Sequence, residues 1–176
     1  LNTAIGQNSM TNNTSGQQNV AVGQGTLAAN TTGIANTALG RSALAANTTA
    51  SNNVAVGQQS LLNNTEGTNN IAVGVEALEA CTTGGANIAI GKQALEANTT
   101  ASSNTAVGNQ ALRVNTTGTN CVAIGANALD ASNANNNSAV GKGALGANTS
   151  GIGNTAVGKD ALESNTTASD DTAVGN

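Results

Sequence analysis

The sequence predicts an all-β fold, a repetitive parallel β-roll of about ten coils, each of about 17 residues. Three observations carry that expectation. The first is a column of glycines: Gly6, Gly23, Gly40, Gly57, Gly74, Gly91, Gly108, Gly125, Gly141, Gly158 and Gly175 recur at one constant interval, shortened by a single position between Gly125 and Gly141. A fixed period of this length marks stacked coils, each burying its apolar face only against its neighbours. The second is that chemistry follows phase. Counting each of these glycines as position 0, position −1 is always Val, Ile or Leu, position −2 is always Ala, and position +4 is Leu in every complete unit but the first, which has Met10. The third is that apolar spacings of five and twelve do not fit a period of 3.6, and that β-branched residues and glycine recur where a helix would suffer.

Each element of the unit has its own reason. Phrases such as `NTAVG` alternate with period two and are rich in β-branched residues, which predicts a short strand ending at the phase glycine. A second short strand is expected around `QALR`, residues 110–113. `NTTG` then turns the chain, because Asn and Gly tolerate positive φ and Asn and Thr side chains can cap loose backbone groups. Two strands and a turn in so short a unit suit a flattened roll; a three-sided β-helix is the alternative. The interior is expected to hold Val22, Leu27, Val56, Leu61, Ile90, Leu95, Val107, Leu112, Ile124 and Leu129. The alanines at −2 (Ala21, Ala38, Ala55, Ala72, Ala89, Ala106 and Ala123) are assigned to the opposite side of the strand. They add little apolar area yet are never polar, so they are expected to pack closely against another chain.

Composition narrows the function classes. There is no Phe, Trp, Tyr, His or Pro, which removes the imidazole of general-base chemistry and any aromatic platform for bases or sugars. Charged residues make up 8% and the formal net charge is −4, so no basic footprint for nucleic acid or an anionic membrane exists. No apolar run approaches the roughly 18 residues that cross a bilayer. The expectation is one repeat array over residues 1–176, a fragment of a longer chain, with no enzymatic activity and no cofactor or metal.

The phrases `NVAVG`, `NIAIG`, `CVAIG` and `NTAVG` resemble the `VAIG`-type motif in the head repeats of trimeric autotransporter adhesins. The longer phrase `NTAVGNQALRVNTTG`, residues 104–118, resembles the variant of that repeat in bacteriophage tail fibres and large bacterial surface proteins. The resemblance covers essentially the whole chain, in eleven phased copies. It implies a left-handed parallel β-roll, three chains about one axis, and a rigid extracellular segment, shaft or head, of a surface adhesin or virion tail. The implied partner is the chain itself, as a homotrimer, with a host-surface or matrix ligand that the repeats do not identify. The family's unit is commonly shorter than the one repeated here, so its turn geometry does not carry over. A ligand-binding β-solenoid, for ice or glycan, is the alternative.

Several residues invite separate readings. Cys81 and Cys121 each replace a repeat Asn, at different phases and more than two coils apart, which argues against an intrachain disulfide and reads as small buried substitution. `NTT` or `NTS` begins at Asn13, Asn30, Asn47, Asn98, Asn115, Asn148 and Asn165; it is both a stacked Asn–Thr turn and the N-glycosylation acceptor pattern. The Thr pairs are adjacent in a turn and lapse at Asn133–Ala134, which fits an ice lattice poorly. Arg41, Lys92, Lys142 and Lys159 sit at +1, and Glu79, Glu96, Arg113, Asp130 and Glu163 at +5, as a solvated outer stripe without the acid clustering of calcium rolls. The one short unit loses its residue between Leu129 and Asn137, in a turn, so the strands on either side are expected to keep register.

Overall fold

The `NTAVG`-type phrases do form strands, each three residues long and bracketed by left-handed backbone. In the computed structural model, which describes residues 1–175, these are β1 Thr3–Ile5, β2 Val20–Val22, β3 Thr37–Leu39, β4 Val54–Val56, β5 Ile71–Val73, β6 Ile88–Ile90, β7 Thr105–Val107, β8 Val122–Ile124, β9 Ser138–Val140, β10 Thr155–Val157 and β11 Thr172–Val174. Position −5 has φ near +60° (Asn52 62°, Asn69 60°) and the phase glycine near +135° (Gly57 134°, Gly125 136°). Only Gly adopts the second conformation without strain, so each strand ends there. The eleven strands form one parallel sheet in chain order. Every pairing is in phase: Ala38 lies opposite Ala55, and Ala89 opposite Ala106. The molecule is a parallel β-solenoid of about ten coils, with no helix among the described residues.

The second strand, expected at 110–113, is absent. Positions +2 and +4 are both left-handed there (Gln110 φ 56°, Leu112 φ 50°), and the same pair recurs in other coils. Most coils make two tight turns in this region, such as Ala111 N–H to Gly108 C=O at 3.3 Å and Asn115 N–H to Leu112 C=O at 3.3 Å. Alternate backbone groups still reach the next coil, as with Leu112 N–H to Ala128 C=O at 3.0 Å. Left-handed Leu costs roughly 1–2 kcal/mol. Full burial of its side chain, worth about 1.5–3 kcal/mol, offsets that. The Leu column therefore reaches the interior from a turn rather than from a strand.

The interior also corrects the expected roles of the strand residues. All seven alanines assigned to a chain–chain contact are fully buried inside their own chain, in one cluster with the Leu column. Of the strand residues expected in the core, Val22, Val56 and Val107 are only half-buried, while Ile90 and Ile124 are exposed. The cause is the two-residue period: −2 points opposite to −3 and −1, and the narrow coil already holds the Leu at +4. Ala is what fits. The leucines Leu27, Leu61, Leu95, Leu112 and Leu129 are buried, as expected.

Two columns of buried Asn complete the interior. At −4, each Asn accepts the backbone N–H of its counterpart one coil on (Asn36 N–H to Asn19 Oδ1, 2.9 Å). Its Nδ2 closes its own coil by donating to the carbonyl at +10 (Asn36 to Ala50, 2.8 Å). At +7, Nδ2 donates across the turn to that same carbonyl (Asn47 to Ala50, 3.1 Å). Buried amides need such partners, since an unpaired one costs about 1–3 kcal/mol.

The short coil keeps register, with Ala123 opposite Ala139. In complete coils the +8 carbonyl accepts from the +8 and +9 N–H groups of the coil before it, as Thr48 does from Thr31 and Thr32. In the short coil the Asn133 side chain takes that role, its Oδ1 accepting from Thr116 N–H at 2.6 Å, Thr117 N–H at 3.2 Å and Thr116 Oγ1 at 2.9 Å. One side-chain carbonyl thus stands in for a backbone one.

Candidate functional site: an apolar ribbon along the strand face

Positions −3 and −1 point outward from the sheet and build two parallel columns. Val54 and Val56, Ile71 and Val73, Ile88 and Ile90, Val122 and Ile124 are neighbours in them. Thr or Ser stands at −3 in several coils (Thr37, Thr105, Ser138, Thr155), but no charge occurs in either column. Ile71 is 38% exposed, Leu39 47%, Ile90 40% and Ile124 41%. Eleven strands spaced about 4.8 Å apart make the ribbon about 48 Å long. An uncharged ribbon of that length, apolar all along −1 and Val, Ile, Thr or Ser along −3, is a candidate contact face.

Most of the charge lies elsewhere, along +1, +2 and +5. Arg113 Nε meets Asp130 Oδ1 at 3.1 Å, and Lys159 Nζ meets Asp160 Oδ2 at 2.8 Å. The Asp160 bond holds the Lys159 ammonium above its ordinary pKa. Gly143 and Gly146 open a shallow notch in this stripe, lined also by Asp130, Lys142, Asp160 and Glu163, where both signs of charge alternate.

The stripe brings together what the +5 column alone concealed. Glu76, at +2, stands with Glu79 and Glu96, the three carboxylates within 4.8 Å of one another. Partial burial raises the Glu79 pKa above its ordinary value, and the charges of Glu76 and Glu96 raise it further. A carboxyl whose pKa rises on folding weakens the fold as it ionises. Its contribution to stability is therefore present in acid and lost as pH rises through its folded-state pKa. Glu79→Gln is expected to flatten that slope and raise the urea midpoint at pH 7. Unchanged midpoints from pH 4 to 7 would show that the repulsion is fully screened.

The cysteines sit inside, free and apart. Burial pushes the Cys81 thiol up to about 11 and raises that of Cys121, so neither is a nucleophile at neutral pH. Cys81 also interrupts the +7 column. Asn64 donates to Asn47 Oδ1 at 3.2 Å, but Cys81 turns its thiol to Gly84 C=O at 3.4 Å. Asn64 Oδ1 is left as the buried side-chain oxygen without a partner. Cys81→Asn restores that donor and is expected to stabilise the chain by about 1–2 kcal/mol. Equilibrium urea unfolding measures it; a lower midpoint for the variant would contradict the ladder account.

Compared with known proteins, the chain matches no family model, no curated protein and no solved structure.

Proposed function

We propose that the chain is a rigid structural segment, shaft or head, of an extracellular fibre of the surface-adhesin or phage-tail type. It acts without catalysis, and three copies associate through the strand face. The observation that carries this reading is the uncharged apolar ribbon, which runs through every coil without a polar interruption larger than Thr or Ser. Three chains turning these ribbons toward a common axis would remove them from water, at roughly 25 cal/mol per Å² of apolar area. The alanines are not needed for that contact.

The geometry also favours one kind of segment. As an α-helix, a chain of this length would extend about 260 Å. Here it advances about 48 Å. Such a chain gains thickness and lateral surface instead of reach, and each backbone ladder resists bending. A stiff, wide element suits a head or the thick part of a shaft.

The same flat ribbon on a monomer would favour the second reading, a ligand-binding solenoid for ice or glycan. The turn threonines do not favour it. Their hydroxyls at +8 donate to the next coil, as Thr31 Oγ1 does to the Thr48 carbonyl at 3.0 Å. Outward-facing Ile71→Lys with Ile90→Lys is expected to leave the β-type circular dichroism intact while reducing the light-scattering mass to one chain. A doubly substituted protein that keeps the parent's oligomeric mass would place the contact elsewhere.

A further inference from the structure

The N-glycosylation pattern Asn-X-Ser/Thr recurs through this chain, and apart from the half-buried Asn13 and Asn165 in the first and last coils, the fold divides its copies into two classes. The first class occupies the +7 column. Asn30, Asn47, Asn98, Asn115 and Asn148 are all fully buried. Asn30 Nδ2 donates to Asn13 Oδ1 at 2.8 Å and to the Gly33 carbonyl at 3.3 Å, using both of its N–H groups. Asn47 does the same toward Asn30 at 2.8 Å and Ala50 at 3.1 Å. Asn98, Asn115 and Asn148 keep the bond across their own turn.

The second class is offset by one or a few residues. `NNT` at Asn12 and Asn63 places the acceptor at +6, and `NNS` at Asn136 places it before β9. These three asparagines are exposed. Their carboxamides make no hydrogen bond among the described residues, unlike the stacked ones, and in most other coils +6 is Ala.

We infer that the fold closes the five fully buried acceptors to N-linked sugar and leaves the exposed Asn12, Asn63 and Asn136 open as modification sites. Transfer from a lipid-pyrophosphate-linked oligosaccharide forms a bond between Nδ2 and the anomeric carbon of the first sugar. The bond from that carbon to the pyrophosphate oxygen breaks, the lipid pyrophosphate leaves with the electron pair, and Nδ2 gives up one proton. At a stacked Asn the lost proton and the added sugar both fall where the neighbouring coil must lie. A sugar installed there before folding would hold two coils apart. At Asn12, Asn63 and Asn136 the Nδ2 faces solvent, and no ladder bond is lost.

The test uses the purified full chain and, separately, the peptides from its complete tryptic digest. Each is incubated with an oligosaccharyltransferase and a lipid-pyrophosphate-linked oligosaccharide, and the products are mapped by mass spectrometry. The peptides are expected to accept sugar at stacked and offset positions alike. The folded chain is expected to accept it at Asn12, Asn63 and Asn136 and at none of the five buried acceptors, and Asn63→Gln should remove one glycan mass without moving the urea midpoint. Sugar on Asn30, Asn47, Asn98, Asn115 or Asn148 of a chain that stays protease-resistant would overturn the inference. So would a folded chain left unmodified at the three open sites while their peptides are modified.

Discussion

Replacing Ala89 and Ala106 together with Asp is expected to abolish folding, not merely assembly. Both alanines are fully buried and stacked directly on each other in β6 and β7. Each carboxylate would enter a space lined by Leu, Ala and the amide ladder, with no cation beside it. A buried unpaired charge is removed only by protonation or unfolding. The loss should exceed the roughly 5–15 kcal/mol that holds an ordinary domain together. The expected readout is a coil-type circular dichroism spectrum at pH 7 and rapid proteolysis. A soluble monomer with β-type signal would mean that the alanines face outward after all.

The second large effect is expected at a phase glycine. Gly40 has φ of +128°, and a Cβ added to it would lie 2.7 Å from the carbonyl carbon and oxygen of Gly57 in the next coil. Both atoms are backbone, and the oxygen closes the tight turn of its own coil by accepting from Ser60 N–H and Oγ, so neither can yield without disturbing that coil. Gly40→Ala is expected to cost about 3 kcal/mol or more, from the strained conformation plus the clash. Gly25 is the internal control. It has φ of +67°, and its added Cβ would meet only Ser42 Oγ at 3.7 Å. Gly25→Ala should therefore cost at most about 1–2 kcal/mol, the ordinary penalty of a left-handed Ala. Equal urea midpoints for the two variants would contradict the assignment of Gly40 to a close approach between coils.

Much of this fold was legible because repetition writes the same physics many times. The glycine column set the coil length, and the two-residue alternation set the strand. The short coil was readable as a turn deletion, although nothing in one sequence announced that Asn133 would lend its side chain to the ladder. What misled was direction. A strand of three residues has two sides, and periodicity alone does not say which is interior. Bulk suggested Val and Ile inside; the width of the coil, set by Leu112 and its equivalents entering from a turn, admits only Ala. The second strand failed for a related reason. `QALR` has apolar spacing compatible with a strand, but left-handed Gln110 and Leu112 are a backbone choice that composition does not reveal. The Glu76–Glu79–Glu96 group was hidden because its members occupy two phases that only folding brings together.

We propose that this chain associates with itself through the ribbon of Val, Ile and Thr at −3 and −1. The most direct measurement is the light-scattering mass of the purified full chain, taken beside that of Ile71→Lys with Ile90→Lys. The account predicts three chain masses for the parent and one for the variant, with the same circular dichroism for both. A parent that is a stable, fully folded monomer would contradict it.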